Sequence, residues 1–104
     1  MGAKAKIKMA DKELIKISKG FVKGILDGKP TTDMCFIVCS PLQAYLSFCG
    51  ISCSLTEGDI IHCDNELHHF WITLDDGKII DPTADQFGLL NIYVRKQPSY
   101  YKKK

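Results

Sequence analysis

The chain is 104 residues long, 45% apolar and 25% charged, a balance that fits one globular domain and excludes a fibre or a polar tail. Its formal net charge is +2, with lysines gathered in MGAKAKIKMADK and YYKKK, so the middle is nearly neutral and nucleic acid is not the expected partner. No apolar run reaches the length of a membrane span and the first residues lack the apolar core of a secretory signal, so a soluble, cytoplasmic protein with no membrane partner is expected.

The first predicted element runs from Asp11 to Gly28. Leu14, Ile15, Phe21, Val22, Ile25 and Leu26 recur at helical spacing, and Lys12, Lys16, Lys19 and Lys23 share the opposite side, which describes an amphipathic helix with a solvated lysine stripe. Asp11 is its expected N-cap and Gly28 its stop, and Gly20 and Gly24 weaken it in a way that would admit a close neighbour.

After GKPTTD, the segment from about Asp33 to Cys49 reads as a second, buried helix ended by Gly50. It carries Cys35, Val38, Leu42, Tyr45, Leu46 and Cys49. Pro41 complicates it, because a proline inside a helix removes a hydrogen bond and crowds the carbonyl of Ile37. Two starts compete. Thr32 or Asp33 can cap a helix that begins at Cys35 and kinks at Pro41, whereas Ser40-Pro41-Leu42-Gln43 is a complete capping-box signature for a helix that begins at Pro41.

A strand is expected over Ile51 to Glu57, punctuated by Gly58-Asp59, then a loop at Asp64-Asn65-Glu66 and a second strand in HHFWITL. Asp75-Asp76-Gly77 is a hairpin turn signal, Lys78 to Asp81 the returning strand stopped by Pro82, and Asn91 to Lys96 a last strand. Helices followed by an antiparallel meander make an α+β domain, two N-terminal helices packed on a small antiparallel sheet.

The turn decides whether these strands can build a site. A three-residue loop with Gly77 left-handed pairs Leu74 with Lys78 and Trp71 with Asp81, which sets His69 diagonal to Asp81 on one face, roughly 7 to 8 Å apart at the backbone. A two-residue loop turns Asp81 to the other face, beside Phe70 and Ile72. In the first register imidazole and carboxylate can hydrogen-bond, and a thiol at the start of the second helix completes a nucleophile, an acid-base and a group that orients it. A helix N-terminus beside a histidinium also favours the thiolate. Cys35 and Cys39 are the candidates, one for each helix start. The five cysteines, at 35, 39, 49, 53 and 63, are odd in number and expected as reduced thiols, most of them core filling. His68 points away from His69, and Trp71 reads as a wall of the site or as core. Thr83, Asp85 and Gln86 in DPTADQF are too polar for core and are read as hydrogen-bonding residues around Asp81.

The run CFIVCSPLQAYLSFCGISC, followed by HFWI and then DPT, resembles the transglutaminase-like branch of the papain-type cysteine enzymes. In that branch the nucleophilic Cys opens a helix, a glycine and an apolar residue end it, a His-x-Trp strand follows, and an Asp closes the next strand, often as Asp-x-Thr. The resemblance covers residues 35 to 88, with Cys35, Gly50-Ile51, His69-Phe70-Trp71 and Asp81 at the matching positions. It implies catalytic roles for Cys35, His69 and Asp81, and Trp71 beside the substrate. Phe36 stands where many members have Trp, Pro41 is unexpected, and the substrate domains of the large transglutaminases are absent.

The expected organisation is therefore a single minimal transglutaminase-like, papain-like domain over 1–104, with an N-terminal helix in 1–30, a catalytic core in 31–88 and a last strand and basic tail in 89–104. The implied activity is that of a cysteine hydrolase or acyltransferase working on an amide bond through a thioester, of peptidase, amidase, deamidase or transglutaminase type. It needs no cofactor or metal, and its partners are a protein, peptide or small amide substrate; the oligomeric state stays open. Two other classes compete: a catalytically inactive adaptor that binds through the basic helix face, and a zinc module on Cys49, Cys53, His62 and Cys63, whose C-x-x-x-C lacks a matching second pair.

Overall fold

In the computed structural model, which describes residues 10–29 and 34–103, two helices pack on a five-stranded antiparallel sheet. The helices are α1, Asp11–Leu26, and α2, Cys35–Phe48. The strands are β1, Cys53–His62, β2, Asn65–Leu74, β3, Lys78–Asp81, β4, Ile92–Lys96, and β5, Tyr101–Lys103, with a 3-10 turn, η1, at Ala84–Phe87. The sheet order β4-β3-β2-β1-β5 puts the long β1–β2 hairpin at its centre. This is the α+β arrangement expected from helices followed by a meander. Among the described residues no helix is long and apolar enough to cross a membrane. Thr32 and Asp33, expected as caps, and Lys4, Lys6, Lys8 and Lys104 of the basic ends lie outside the described residues.

The first helix turns Leu14 and Val22 inward, as its pattern requires. Ala10, not Asp11, is its N-cap; Asp11 is the first helical residue, and its carboxylate accepts from Lys78 Nζ at 2.9 Å. A side-chain carbon on Gly20 or Gly24 would meet nothing within 4 Å among the described residues, none of which therefore needs either glycine for a close approach.

The second helix starts at Cys35 and runs through Pro41, which overrides the capping-box signature at Ser40. Packing explains why. Val38, Cys39, Leu42 and Leu46 are wholly buried in a core with Ile72, Leu74 and Ile80 of the sheet. Starting the helix at Pro41 would give up the helical placement of Val38 and Cys39. Burial worth roughly 1.5 to 3 kcal/mol per apolar side chain offsets the roughly 3 kcal/mol that an interior proline costs.

The sheet departs from expectation in three places. β1 does not stop at Gly58-Asp59 but continues to His62. A side-chain carbon at Gly58 would collide with the Trp71 ring and the main chain of Lys102, so this glycine permits close approach inside a strand. The β1–β2 turn is Cys63-Asp64, both left-handed at φ 51° and 63°, closed by the pair His62 and Asn65. Asn65 and Glu66 are thus strand residues. Finally, Tyr101–Lys103 of the basic tail pairs with Gly58, Asp59 and Ile60 of β1 as a fifth strand.

Each face of the sheet has its own core. The helices cover Ile72, Leu74 and Ile80 on one side. Ile60, Trp71, Ile79, Ile92 and Tyr101 cluster separately, with Phe87, Leu89 and Tyr100 packed against them. The site lies where these two layers meet.

Candidate active site

The β2–β3 turn adopts the three-residue form. Ile72 pairs with Ile80 and Thr73 with Ile79, a register that puts Leu74 opposite Lys78 and Trp71 opposite Asp81. Gly77 is left-handed at φ 89°, and its N–H donates to Leu74 O at 3.0 Å. The expected diagonal contact follows: His69 Nε2 lies 2.8 Å from Asp81 Oδ2, with both side chains at 0% exposure.

Asp81 is held by several donors. The Thr83 N–H reaches Oδ1 at 3.2 Å, with the Thr83 hydroxyl at 3.5 Å, and Gln86 Nε2 donates to Thr83 Oγ1 at 3.3 Å. The polar run after Pro82 thus bonds around Asp81, with Asp85 differing in that its main-chain N–H goes to Asn91 Oδ1 at 2.9 Å. The hydroxyl of Tyr101 donates to Asp81 Oδ2 at 2.5 Å, a partner that sequence reasoning missed. Twenty residues separate the two, and nothing local in YYKKK marks a buried tyrosine. The His69 ring is also clamped edge-on by Phe87, centroids 4.9 Å apart, and lies along Trp71 at 6.3 Å.

Helix α2 runs along β2 in the same direction. Its Cys39 thiol donates to Phe70 O at 3.6 Å, and Gln43 Nε2 donates to the carbonyl of Cys53, the partner of Leu74, at 3.2 Å. One turn back along α2, about 6 Å, the Cys35 sulfur lies against His69 and the Phe70 N–H. In the β2–β3 register Phe70 falls opposite Pro82, which has no N–H to offer. The two thiols use its peptide groups instead: Cys39 bonds the carbonyl, and the main-chain N–H supports the Cys35 sulfur.

Electrostatics separates the two thiols. Burial pushes half-buried Cys35 up, but hydrogen bonding to His69, the N–H of Phe70, the charge of the imidazolium and the N–H of Phe36 together bring it below its ordinary value. For His69, burial acts downward and is outweighed by the bond to Asp81 and then by Cys35, which raise it to about 9. Cys39 moves the other way, far upward, through burial first and then the charges of Asp81 and Cys35. Of the two candidates only Cys35 combines access with a bias toward thiolate.

Nε2 is committed to Asp81, and Nδ1 has no hydrogen bond of ordinary geometry among the described residues. That leaves Nδ1 as the nitrogen for the Cys35 thiol, the group that lifts the imidazole's proton affinity alongside Asp81. The two ring nitrogens thereby exchange the roles they hold in a Ser-His-Asp triad. Catalytic contacts of this kind are often long at rest and tighten with substrate.

Other expectations resolve differently. Trp71 is fully buried and backs the His69 ring from within the core. His68 points the other way, as expected, with Nε2 2.6 Å from Glu57 Oε2. The zinc set is not assembled: Cys53 and His62 are the two ends of β1, roughly 30 Å apart at about 3.3 Å per residue. Among the described residues no cluster of three or more metal-ligating side chains occurs.

Compared with family descriptions, with curated proteins and with solved structures, the chain matches none. Its chemistry must therefore be judged from the site: a half-buried thiol at a helix start, an imidazole beside it and a buried carboxylate behind the imidazole.

Proposed function

We propose that the protein is a cysteine-dependent hydrolase or acyltransferase acting on an amide bond through a thioester on Cys35, in the manner of the transglutaminase-like branch of papain-type enzymes. The observation that carries this reading is the convergence of Cys35 from α2, His69 from β2 and Asp81 from β3, with the thiol's proton affinity lowered and the imidazole's raised to about 9. Structural packing needs no such opposition, and a nucleophile paired with its acid does.

The Cys35 thiolate attacks the amide carbonyl carbon and forms the C–S bond, and the carbonyl oxygen takes up the negative charge. Amide N–H groups at the start of α2, where the helix dipole is positive, stabilise that charge. The imidazolium gives its Nδ1 proton to the amine nitrogen, the C–N bond breaks, and a thioester remains. Water or a second amine then gives its proton to neutral Nδ1 and attacks the thioester, and cleavage of the C–S bond restores thiolate and imidazolium. Asp81 holds Nε2–H throughout and keeps the ring oriented. No cofactor enters this sequence, and a protein, peptide or small amide is the substrate. All five cysteines are free thiols, which favours a reducing compartment such as the cytoplasm.

A second reading, a catalytically inactive binding module of the same fold, draws on the outer face of α2. There Phe36, Ile37, Tyr45 and Phe48 are 51%, 53%, 40% and 89% exposed. Incubation with an activated acyl ester, followed by intact-mass measurement, separates the two. The enzyme acquires one acyl group on Cys35 that hydroxylamine releases; a binding module acquires none there.

A further inference from the structure

The Oδ2 atom of Asp81 accepts from two sides. His69 Nε2 reaches it at 2.8 Å from β2, and the Tyr101 hydroxyl reaches it from β5. Tyr101 is 2% exposed, and Asp81 is its hydroxyl's partner among the described residues. Burial, then the charge of Asp81, drives this phenol far above its ordinary range, so it stays protonated and donates.

The ring is held independently of that bond. It meets Trp71 edge-on at 5.0 Å, its residue pairs with Ile60, its N–H donates to Pro98 O at 3.0 Å, and its carbonyl accepts from Gln97 Nε2 at 3.0 Å. A phenylalanine would fill the same core with Ile60, Ile79 and Ile92. The hydroxyl is therefore surplus to packing and is delivered by a rigid scaffold to the carboxylate oxygen that His69 uses.

We propose that Tyr101 is a positioning residue of the candidate site: its hydroxyl fixes Asp81 and, by sharing Oδ2 with His69, limits how strongly the carboxylate holds the imidazole. This rests on the Cys35–His69–Asp81 reading above. Two donors divide the accepting capacity of one oxygen. With the hydroxyl present, the imidazolium parts with its proton more readily, as a general acid working near neutral pH must. The groups that bear on this centre are Cys35 and Cys39 of α2, Asp81 of β3, Tyr93 of β4 and Tyr101 of β5; β2 and η1 add the rings of Trp71 and Phe87. The C-terminal strand is thereby part of the site.

The test is a nitrogen-15 NMR titration of the His69 imidazole in the full chain, native against Tyr101→Phe, with the thermal midpoint taken on the same samples. The His69 midpoint rises from about 9 by roughly half a pH unit or more in the variant. A variant that loses thermal stability while its His69 midpoint stays put would make Tyr101 merely structural and overturn the proposal. If Tyr101→Phe does not fold, 3-fluorotyrosine at all four tyrosines supplies a stronger donor in the same shape. The midpoint then falls, and an unmoved midpoint overturns the proposal equally. Failure of Cys35 to take an acyl group, with the His69 midpoint still responding to Tyr101, would end the enzymatic reading and leave the Tyr101 effect standing.

Discussion

His69 Nε2 and Asp81 Oδ2 meet at 2.8 Å because a three-residue turn at Asp75-Asp76-Gly77 fixes the register of the strands that carry them. The apolar pattern of β3 does not enforce that register. Ile79 and Ile80 are both wholly buried, one in each core, so a one-residue slip exchanges one isoleucine for another.

The double substitution Asp75→Thr, Asp76→Asn tests this directly. It favours a two-residue Asn-Gly turn at positions 76 and 77, pairs residue 75 with Lys78, and moves Asp81 opposite Ile72, on the other face. The variant is expected to unfold cooperatively still, whereas the His69 midpoint drops from about 9 to well below it, read by imidazole NMR.

The two thiols of α2 should part company on substitution. Cys39→Ala removes a wholly buried side chain and the bond to Phe70 O, and is expected to cost about 1 to 2 kcal/mol in urea denaturation while Cys35 keeps its reactivity. Cys35→Ala is expected to abolish acyl-group capture with a stability change within about 0.5 kcal/mol.

Much of this geometry was legible in the sequence because it depends on local signals. The Asp-Asp-Gly turn, the alternation of HHFWITL and the Pro82 stop define the two strands, and of the two turns they allow the three-residue form places His69 against Asp81. What escaped was set by tertiary contacts. Gly58 reads as a strand end, yet it is a strand interior emptied for the Trp71 ring. The choice between the two helix starts was tertiary as well: burial of Val38 and Cys39 selects the start at Cys35 over the one that Ser40-Pro41 offered. Tyr101 sits in a strand of three residues, too short for any periodicity, and its partner Asp81 lies on another strand.

Two glycine substitutions should act in opposite directions. Gly58→Ala forces a carbon against the Trp71 ring and the Lys102 carbonyl, and is expected to destabilise by about 1 to 3 kcal/mol. Gly20→Ala meets nothing within 4 Å among the described residues and improves helix propensity in α1, with an expected gain of about 0.5 to 1 kcal/mol. Denaturant midpoints at matched slopes check both.

The pH dependence follows from the two opposed shifts. The imidazolium–thiolate pair exists above the lowered value of Cys35 and below about 9, so acyl transfer should lose its acid on an alkaline limb near 9. For stability, the raised His69 contributes fully below its ordinary 6.5 and loses that contribution as pH rises through about 9. The lowered Cys35 contributes above its ordinary 9.0 and loses its part as pH falls through the lowered value. The slopes oppose, so the native protein is expected to lose less stability across this window than the His69 shift alone would remove. In Cys35→Ser only the His69 contribution remains: stability should fall as pH rises above 6.5, and the His69 midpoint should lie below about 9. Thermal midpoints across pH, with the NMR titration, check both.

The central claim, that Cys35 is a nucleophile activated by His69, is met most directly by iodoacetamide labelling across pH, resolved thiol by thiol by mass spectrometry, in the native protein and in His69→Ala. Cys35 alone should alkylate at mildly acidic pH, and should lose that behaviour in the variant. Alkylation of all five thiols only at alkaline pH, unchanged by His69→Ala, would contradict it.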